Sequence, residues 1–325
     1  MRNLKTLLAG AAGIVLMSAW AAQAAEKWNM ATGFNDTNFQ TQNVKFFADE
    51  VKKLSDGALE IVVHSGMSLY RQPEIKRAVS SGQIQIGEVL LSAYGNEDPM
   101  FEADSIPFLA TGYDDSMKLW KLQRPLLEQR FAKQGLILLY SVAWPGTAFY
   151  TKNPVKDVAD FKGMKMRAYN AATSRLAEKL GATPTTVEQV EAPQAFATGV
   201  IQAMITSPIT GKDTKAWEYT KHYLDVRAWH NKNFVIMNKR AFDRLDKKTQ
   251  AAVLAAAKAA EERGWKVSRE AGDQAMAILK EQGMVITKPS DSFMKEIKAV
   301  SSTMVEEWAK KAGPDGAAIV KAMQH

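Results

Sequence analysis

Arg167 is the residue whose type and place say most about chemistry in this chain. Met164 to Ala168 follows a Lys162-Gly163 turn and has the length of a short strand, and a helix is predicted from just beyond Tyr169-Asn170 to Leu180. Arg167 then sits at the carboxyl end of a strand, and in open α/β sheets ligands collect in the crevice beyond those ends. A guanidinium held there is a planar, permanently charged donor fork suited to gripping a carboxylate through two parallel hydrogen bonds. The plain alternative is a solvated arginine, or one paired with a structural acid.

The elements around it decide in favour of a site. Leu180-Gly181-Ala182-Thr183-Pro184 closes the helix with Gly at its end and Pro just past it. A strand is predicted over Thr185 to Val190, a short helix over Ala192 to Gly199, and an apolar run from Val200 to Ile205 before the turn Thr206-Ser207-Pro208. Strand, helix, strand, helix, strand within some fifty residues is an α/β half-domain rather than a bundle.

The Lys-Gly-Met-Lys-Met-Arg strand (162–167), the Asn-Ala-Ala-Thr helix start (170–173), Leu-Gly-Ala-x-Pro (180–184) and the Gln-Ala-Phe-x-Thr-Gly-Val run (194–200) carry a resemblance. Together they resemble the solute-binding proteins of tripartite ATP-independent periplasmic (TRAP) transporters. The resemblance covers essentially the whole chain after its first two dozen residues. It implies an α/β, two-lobed periplasmic solute-binding protein fold with hinge crossings and a long helix spanning both lobes. It further implies that Arg167 makes the main salt bridge to a substrate carboxylate, that the protein is not an enzyme, and that TRAP membrane subunits receive the solute.

Other candidate ligand residues follow from strand ends and loops. Lys27 to Ala31 reads as a first strand leading into a loop with Phe34 and Asn35, which faces the same crevice; such loops also serve simply to cap the next helix. Ile84 to Val89 reads as a strand with Glu88 near its end and Tyr94 just beyond. Ala143-Trp144-Pro145-Gly146 has the composition of a hinge turn between lobes, and Trp144 is either inter-lobe packing or a flat wall for a ligand. Trp229 and Asn233 lie on a segment, Arg227 to Asn238, that enters a strand returning to the first lobe.

The chain also departs from the family's common pattern. Ala148 stands where many members carry a second arginine, and Gln202-Ala203-Met204-Ile205-Thr206-Ser207 replaces an Asp-Gly-x-Glu-Asn run. A cation, an acid and an amide are absent, and the Thr206 and Ser207 hydroxyls are the replacement donors. A sugar acid or a C4-dicarboxylate needs more polar partners than this. The expected guest is a monocarboxylate with an apolar or aromatic body, or a 2-oxo or 2-hydroxy acid.

Residues 1–24 read as a cleaved secretory leader, with Arg2 and Lys5, an apolar core from Leu7 to Met17, and Ala22-Gln23-Ala24 as a cleavage site. That core falls short of the roughly 20 residues a spanning helix needs, so export to the periplasm is expected. The expected layout is a first lobe mainly in 25–143, a second mainly in 144–232, and returning strands and a shared long helix in 233–325. Apolar residues recur at helical spacing from Asp246 to Gln282, which would measure roughly 50 Å as one helix, with Gly264 or Gly272 as bending points; the alternative is two packed helices broken at a Gly. A further helix is predicted from Lys212 to Tyr223, another from Ser292 to Lys311, and a short terminal one after Gly313-Pro314.

Composition closes off several chemistries. With no cysteine, disulfides, thiolate catalysis and zinc-thiolate sites are excluded. None of the four histidines has metal-ligand spacing, and no cofactor or metal is called for. Two positive charges of the formal +7 fall in the leader, and the rest are interleaved with acids, as in Lys247-Lys248 near Glu261-Glu262-Arg263. No dense basic block supports nucleic-acid binding, while a mild positive field suits a small anionic solute. A monomer is expected. An exported hydrolase or lyase using the same cleft is the alternative class, but neither a Gly-x-Ser-x-Gly elbow nor a Gly-rich phosphate loop is present.

Overall fold

The computed structural model describes residues 25–324, and the predicted leader lies outside the described residues. Short apolar strands and amphipathic helices alternate. The first set is β1 (Glu26–Ala31), α1 (Phe39–Leu54), β2 (Leu59–His64), α2 (Gln72–Ser81), β3 (Ile86–Leu90), α3 (Gly112–Lys133) and β4 (Leu136–Ala143). The second is β5 (Ala148–Thr151), β6 (Lys165–Ala168), α4 (Ala171–Lys179), β7 (Thr183–Thr186), α5 (Ala192–Ala197), β8 (Ala203–Thr206), α6 (Pro208–Asp213) and β9 (His222–Leu224). The chain then forms β10 (Lys232–Asn238), α7 (Lys239–Arg244), α8 (Lys247–Glu281), β11 (Val285–Thr287) and α9 (Asp291–Met323), the last broken at Gly313 (φ 66°), ahead of Pro314.

Two mixed sheets result, ordered β2-β1-β3-β10-β4 and β11-β9-β5-β8-β6-β7. β1, β2 and β3 are parallel, and β10 inserts antiparallel between β3 and β4, so a late stretch of sequence lies inside the first lobe. The chain therefore crosses between lobes after β4, after β9, along α8 and again along α9, whose Phe293 and Ile297 pack in the second lobe and Trp308 and Ile319 in the first. Asn38, Asn170, Asp246 and Ser290 cap α1, α4, α8 and α9 with side-chain oxygens that accept from backbone N–H groups.

α8 is one continuous helix of 35 residues, about 52 Å long at 1.5 Å per residue. Val253, Ala256, Ala257 and Ala260 pack into the core of the first lobe, and Leu279 into that of the second. The two glycines that offered bending points serve close approach instead. A Cβ on Gly264 would lie 2.3 Å from Val142 Cγ2 and 2.8 Å from Asn43 Nδ2, so β4, α1 and α8 meet there without room for a methyl group. α8 and α3 also occupy the free edge of β4. Trp265 Nε1 donates to Ser141 O (2.9 Å), Arg124 Nη2 donates to Leu139 O (3.2 Å), and Glu261 accepts from Ser141 N (3.3 Å), which leaves that edge little capacity to pair with another chain.

The helix predicted over Lys212 to Tyr223 is not formed. Ser207 and Pro208 start α6 earlier, Lys215 takes a left-handed conformation (φ 51°) that stops it, and His222 to Leu224 pair with β5 as β9. The strand predicted from Thr185 starts at Thr183 and ends at Thr186.

Glu88 lies in β3 at the centre of the first sheet and is buried. The Thr32 hydroxyl donates to its carboxylate. Burial pushes its pKa from 4.5 up to about 7, against the pull of Thr32 and of the Asn233 amide, whose nitrogen lies near without completing a hydrogen bond of normal geometry. The folded protein thus takes up a proton between pH 4.5 and 7 that the unfolded chain does not, so this group's contribution to stability falls as pH rises through that window. The full penalty above pH 7 is roughly 3 kcal/mol. Buried His230, pushed down by burial from 6.5 to about 4, works in the opposite sense, losing stability as pH falls through that range, so only a variant comparison isolates Glu88.

Glu88→Gln is expected to raise the melting temperature over the parent by several degrees at pH 8, with the difference shrinking towards zero at pH 5. Equal offsets at the two pH values would contradict the buried-carboxyl account. Gly264→Ala pits a helix-propensity gain of about 1 kcal/mol against overpacking of about 1–3 kcal/mol. With a Cβ 2.3 Å from Val142, overpacking prevails and chemical denaturation is expected at lower denaturant; a more stable variant would show that α8 is not wedged against β4.

Candidate ligand-binding site

The carboxyl ends of the parallel strands in the two sheets, with the amino ends of the antiparallel β5 and β10, face a cavity between the lobes. Phe34, Met67, Gln72, Leu90 and Ala93 line it from the first lobe, Trp144, Thr147 and Asn231 from the hinge segments, and Arg167, Tyr169, Glu188, Thr206, Ser207 and Thr210 from the second lobe. It holds about 80 Å³ of space open to the centre of a water-sized sphere. One water needs roughly 10–15 Å³ on that measure, so the cavity is sized for a small solute.

Arg167 occupies the third position of β6, beside β7 and β8, and is 4% exposed. Its Nε donates to Val187 O at 2.9 Å, which fixes the plane of the guanidinium, and its Cζ lies 5.2 Å from the centre of the Tyr169 ring. Among the described residues no carboxylate forms an ion pair with it, whereas the neighbouring arginines Arg71 and Arg175 pair with Glu191 and Glu102. Burial lowers its pKa, opposed by Tyr169 and by the more distant Glu188. A buried cation without an internal anion is unfavourable by itself, and the remaining donors of the fork are free for a guest.

Trp144 is held rigidly in the wall. Its ring meets Phe39 edge-on (5.0 Å, 87°) and Phe34 at a tilt (5.0 Å), and its indole N–H donates to Asn233 Oδ1 at 2.9 Å. Asn231 is similarly fixed. Its Oδ1 accepts from Trp229 Nε1 (2.8 Å) and Tyr169 OH (2.7 Å), and its Nδ2 donates to Ser105 Oγ. Asn170 Nδ2 reaches across the cleft to Ser92 Oγ (2.9 Å) and Ser105 Oγ (3.1 Å), so the N-cap of α4 in one lobe is tied to the other.

Of the residues singled out in the sequence, Arg167, Trp144, Phe34, Thr206 and Ser207 line the cavity together. The Ser207 hydroxyl is already engaged in capping α6 through Thr210 N (3.2 Å). Glu88, Tyr94, Trp229 and Asn233 stand behind the wall, and the last three hold its members in place. Glu88 lies inside the first sheet, Tyr94 OH donates to Gln72 O (2.8 Å), Trp229 orients Asn231, and Asn233 orients Trp144.

Tyr169, Asn231, Thr147 and Gln72 line the cavity without having been singled out. Two carried a usable signal. Tyr169 follows Arg167 by two residues and so shares its face at the strand end, and Asn231 lies between Trp229 and Asn233. Thr147 and Gln72 carried none, since only the docking of the two lobes brings them to this space.

The chain matches the family described as bacterial extracellular solute-binding protein, family 7, over residues 30–311. Among solved structures it is similar to DctP7 of Bordetella pertussis, an extracytoplasmic solute receptor binding pyroglutamic acid, with 50% identity over 93% of this chain and 100% of that one and a TM-score of 0.91. A TRAP solute-binding protein from an unidentified marine microbe, described as specific for pyroglutamate and holding co-purified pyroglutamate, is 40% identical over 92% and 99% of the two chains, with a TM-score of 0.90. The C4-dicarboxylate-binding periplasmic protein DctP of Rhodobacter capsulatus is 23% identical over 290 residues, 85% of this chain and 84% of the relative. With two sheets hinged around a buried strand-end arginine and a family match over most of its length, the chain belongs to family 7 of the bacterial extracellular solute-binding proteins, as a TRAP solute receptor rather than an enzyme.

Proposed function

We propose that this protein captures pyroglutamate and presents it to the membrane subunits of a TRAP transporter. The observation that carries the reading is Arg167, buried in the cavity wall and in no ion pair with an acid among the described residues. A carboxylate docked there forms a bidentate, charge-assisted pair in a site that excludes bulk water. The single cation suits a monocarboxylate, because a second carboxylate would enter the cavity unpaired.

The remaining wall offers a compact body an apolar face at Phe34, Met67, Leu90, Ala93 and the fixed Trp144 ring, with neutral hydrogen-bonding side chains such as Thr206 and Asn231 beside it. A five-membered ring bearing one carboxylate and one neutral amide fits that inventory. Two receptors 50% and 40% identical to this chain, nearly end to end, are described as binding pyroglutamate. This keeps the monocarboxylate of the sequence expectation and departs from its aromatic and 2-oxo or 2-hydroxy classes, to none of which the lactam ring belongs.

In this reading the leader directs the chain to the periplasm and is removed. The carboxylate engages the second lobe while the ring packs on the first, so binding favours the closed arrangement because one guest touches both halves. The protein acts as a monomer, with no nucleic acid, metal or turnover involved.

Calorimetric titration is expected to give saturable one-to-one binding of pyroglutamate. Arg167→Met is expected to weaken it by about 100-fold or more, since one partner of a desolvated charge pair is gone. Arg167→Lys should recover little of this, because a point charge does not reproduce the bidentate fork. Without ligand, Arg167→Met is expected to melt no lower than the parent, since it removes a buried unpaired charge. Retention of affinity within about threefold in Arg167→Met would contradict the reading.

A further inference from the structure

Among the described residues that line the cavity, only Arg167 and Glu188 carry a formal charge, and they form no ion pair with each other. A carboxylate in the wall of a site built for an anion works against that anion, so its presence there calls for a reason.

The chain sets this acid beside the cation. Val187 N donates to Ala168 O (3.1 Å) at the end of β6, and Val187 O accepts from Arg167 Nε (2.9 Å), so Glu188 begins one peptide unit from the carbonyl that orients the guanidinium. Its own N–H donates to Glu191 Oε2 (3.3 Å), which fixes the backbone there, while its side chain makes no capping hydrogen bond to the turn that follows. Arg71, at the mouth of the cleft, is taken by Glu191 (3.0 Å). The Glu188 side chain is half-buried, and its oxygens are not among the buried atoms sealed away without a partner, so they remain open to accept a hydrogen bond.

The charge reaches groups in both lobes. Burial raises the Glu188 pKa while Arg167 and then Arg71 pull it down, and Tyr94 of the first lobe, raised by its own burial, is raised further by Glu188. Neighbouring acceptors are already engaged: Asn231 Oδ1 accepts from Tyr169 OH and Trp229 Nε1, and the Ser207 hydroxyl caps α6.

We propose that Glu188 is the specificity-determining residue that selects acids bearing an N–H on the carbon next to the carboxylate, its side chain accepting that N–H while Arg167 holds the guest's carboxylate. This rests on the pyroglutamate reading and deepens it. In pyroglutamate the lactam nitrogen and the carboxylate share one carbon, so a single guest bridges an acid and a cation that do not meet directly. The N–H bond to a carboxylate is charge-assisted and correspondingly strong. A guest with oxygen in place of that N–H turns a lone pair towards Glu188, and a second carboxylate meets a like charge, so the same acid that favours the lactam acts against both.

The test is calorimetric titration of the purified receptor and of Glu188→Gln with pyroglutamate and with its lactone analogue 5-oxotetrahydrofuran-2-carboxylate, which has the same ring and carboxylate but a ring oxygen where the N–H was. Wild type is expected to prefer the lactam by at least about 30-fold. Glutamine keeps the size of the side chain at a half-buried position, and melting curves check that the variant folds as the parent does. Its amide can accept from the lactam N–H or donate to the lactone oxygen, so the preference is expected to fall below about fivefold. For the lactam, the weaker N–H bond and the relieved repulsion of the guest carboxylate oppose one another, whereas the lactone gains only. It is expected to bind the variant about threefold or more tighter than wild type, a gain that mere structural damage would not give. Equal binding of lactam and lactone by wild type would overturn the assignment without any variant, as would an undiminished preference or an unimproved lactone in Glu188→Gln. In each of these cases pyroglutamate still binds wild type, and the receptor reading stands. Failure of wild type to bind pyroglutamate at all would overturn both.

Discussion

One buried guanidinium organises this molecule. Arg167 is placed where a strand ends, is oriented by a single backbone carbonyl, Val187 O, and is denied an acid of its own although arginines nearby have theirs. Burying a charge without a counter-ion is costly in a low-dielectric interior. The arrangement is sensible only when something anionic completes it from outside. On the proposed reading the rest of the site confines such a guest: a small volume, a rigid aromatic wall at Trp144, and a second lobe to seal the opening.

The ties across the cleft are polar. Asn38 Nδ2 donates to Asp213 Oδ2 at 2.7 Å, Asn170 reaches Ser92 and Ser105, and the Arg71–Glu191 pair (3.0 Å) is largely exposed. Exposed pairs of that kind contribute about 0–1 kcal/mol. The Arg175–Glu102 pair (2.7 Å), whose carboxylate is fully buried, is a further tie between α4 and the first lobe, so the contacts across the cleft are of unequal strength. The rigid parts lie elsewhere, in α8 running through both lobes and in the satisfied edge of β4.

Much of this was legible in the sequence where a local signal and its structural consequence coincide. The Asn170 cap, the helix it opens and the strand before it place Arg167 without knowledge of the rest of the fold. The apolar spacing from Asp246 to Gln282 suited one long helix or two broken at a glycine, and the packing of Gly264 against Val142 is what the sequence did not announce. The stretch after Asp213 was misread because Lys215 adopts a left-handed conformation that its side chain does not announce. The site was only half legible for a related reason. Asn231 lines the cavity while Trp229 and Asn233, two residues either side, are turned into the packing that supports it, an outcome set by β10 inserting between β3 and β4. Gln72 and Thr147 reach the site through the docking of one lobe on the other, and no spacing within either segment encodes that.

The central claim is that an external carboxylate completes Arg167. A crystal structure of the receptor with pyroglutamate tests it most directly. The account predicts both carboxylate oxygens within about 2.7–2.9 Å of guanidinium nitrogens of Arg167, with the ring against Trp144. A carboxylate bound elsewhere, with Arg167 paired instead to Glu188, would contradict it.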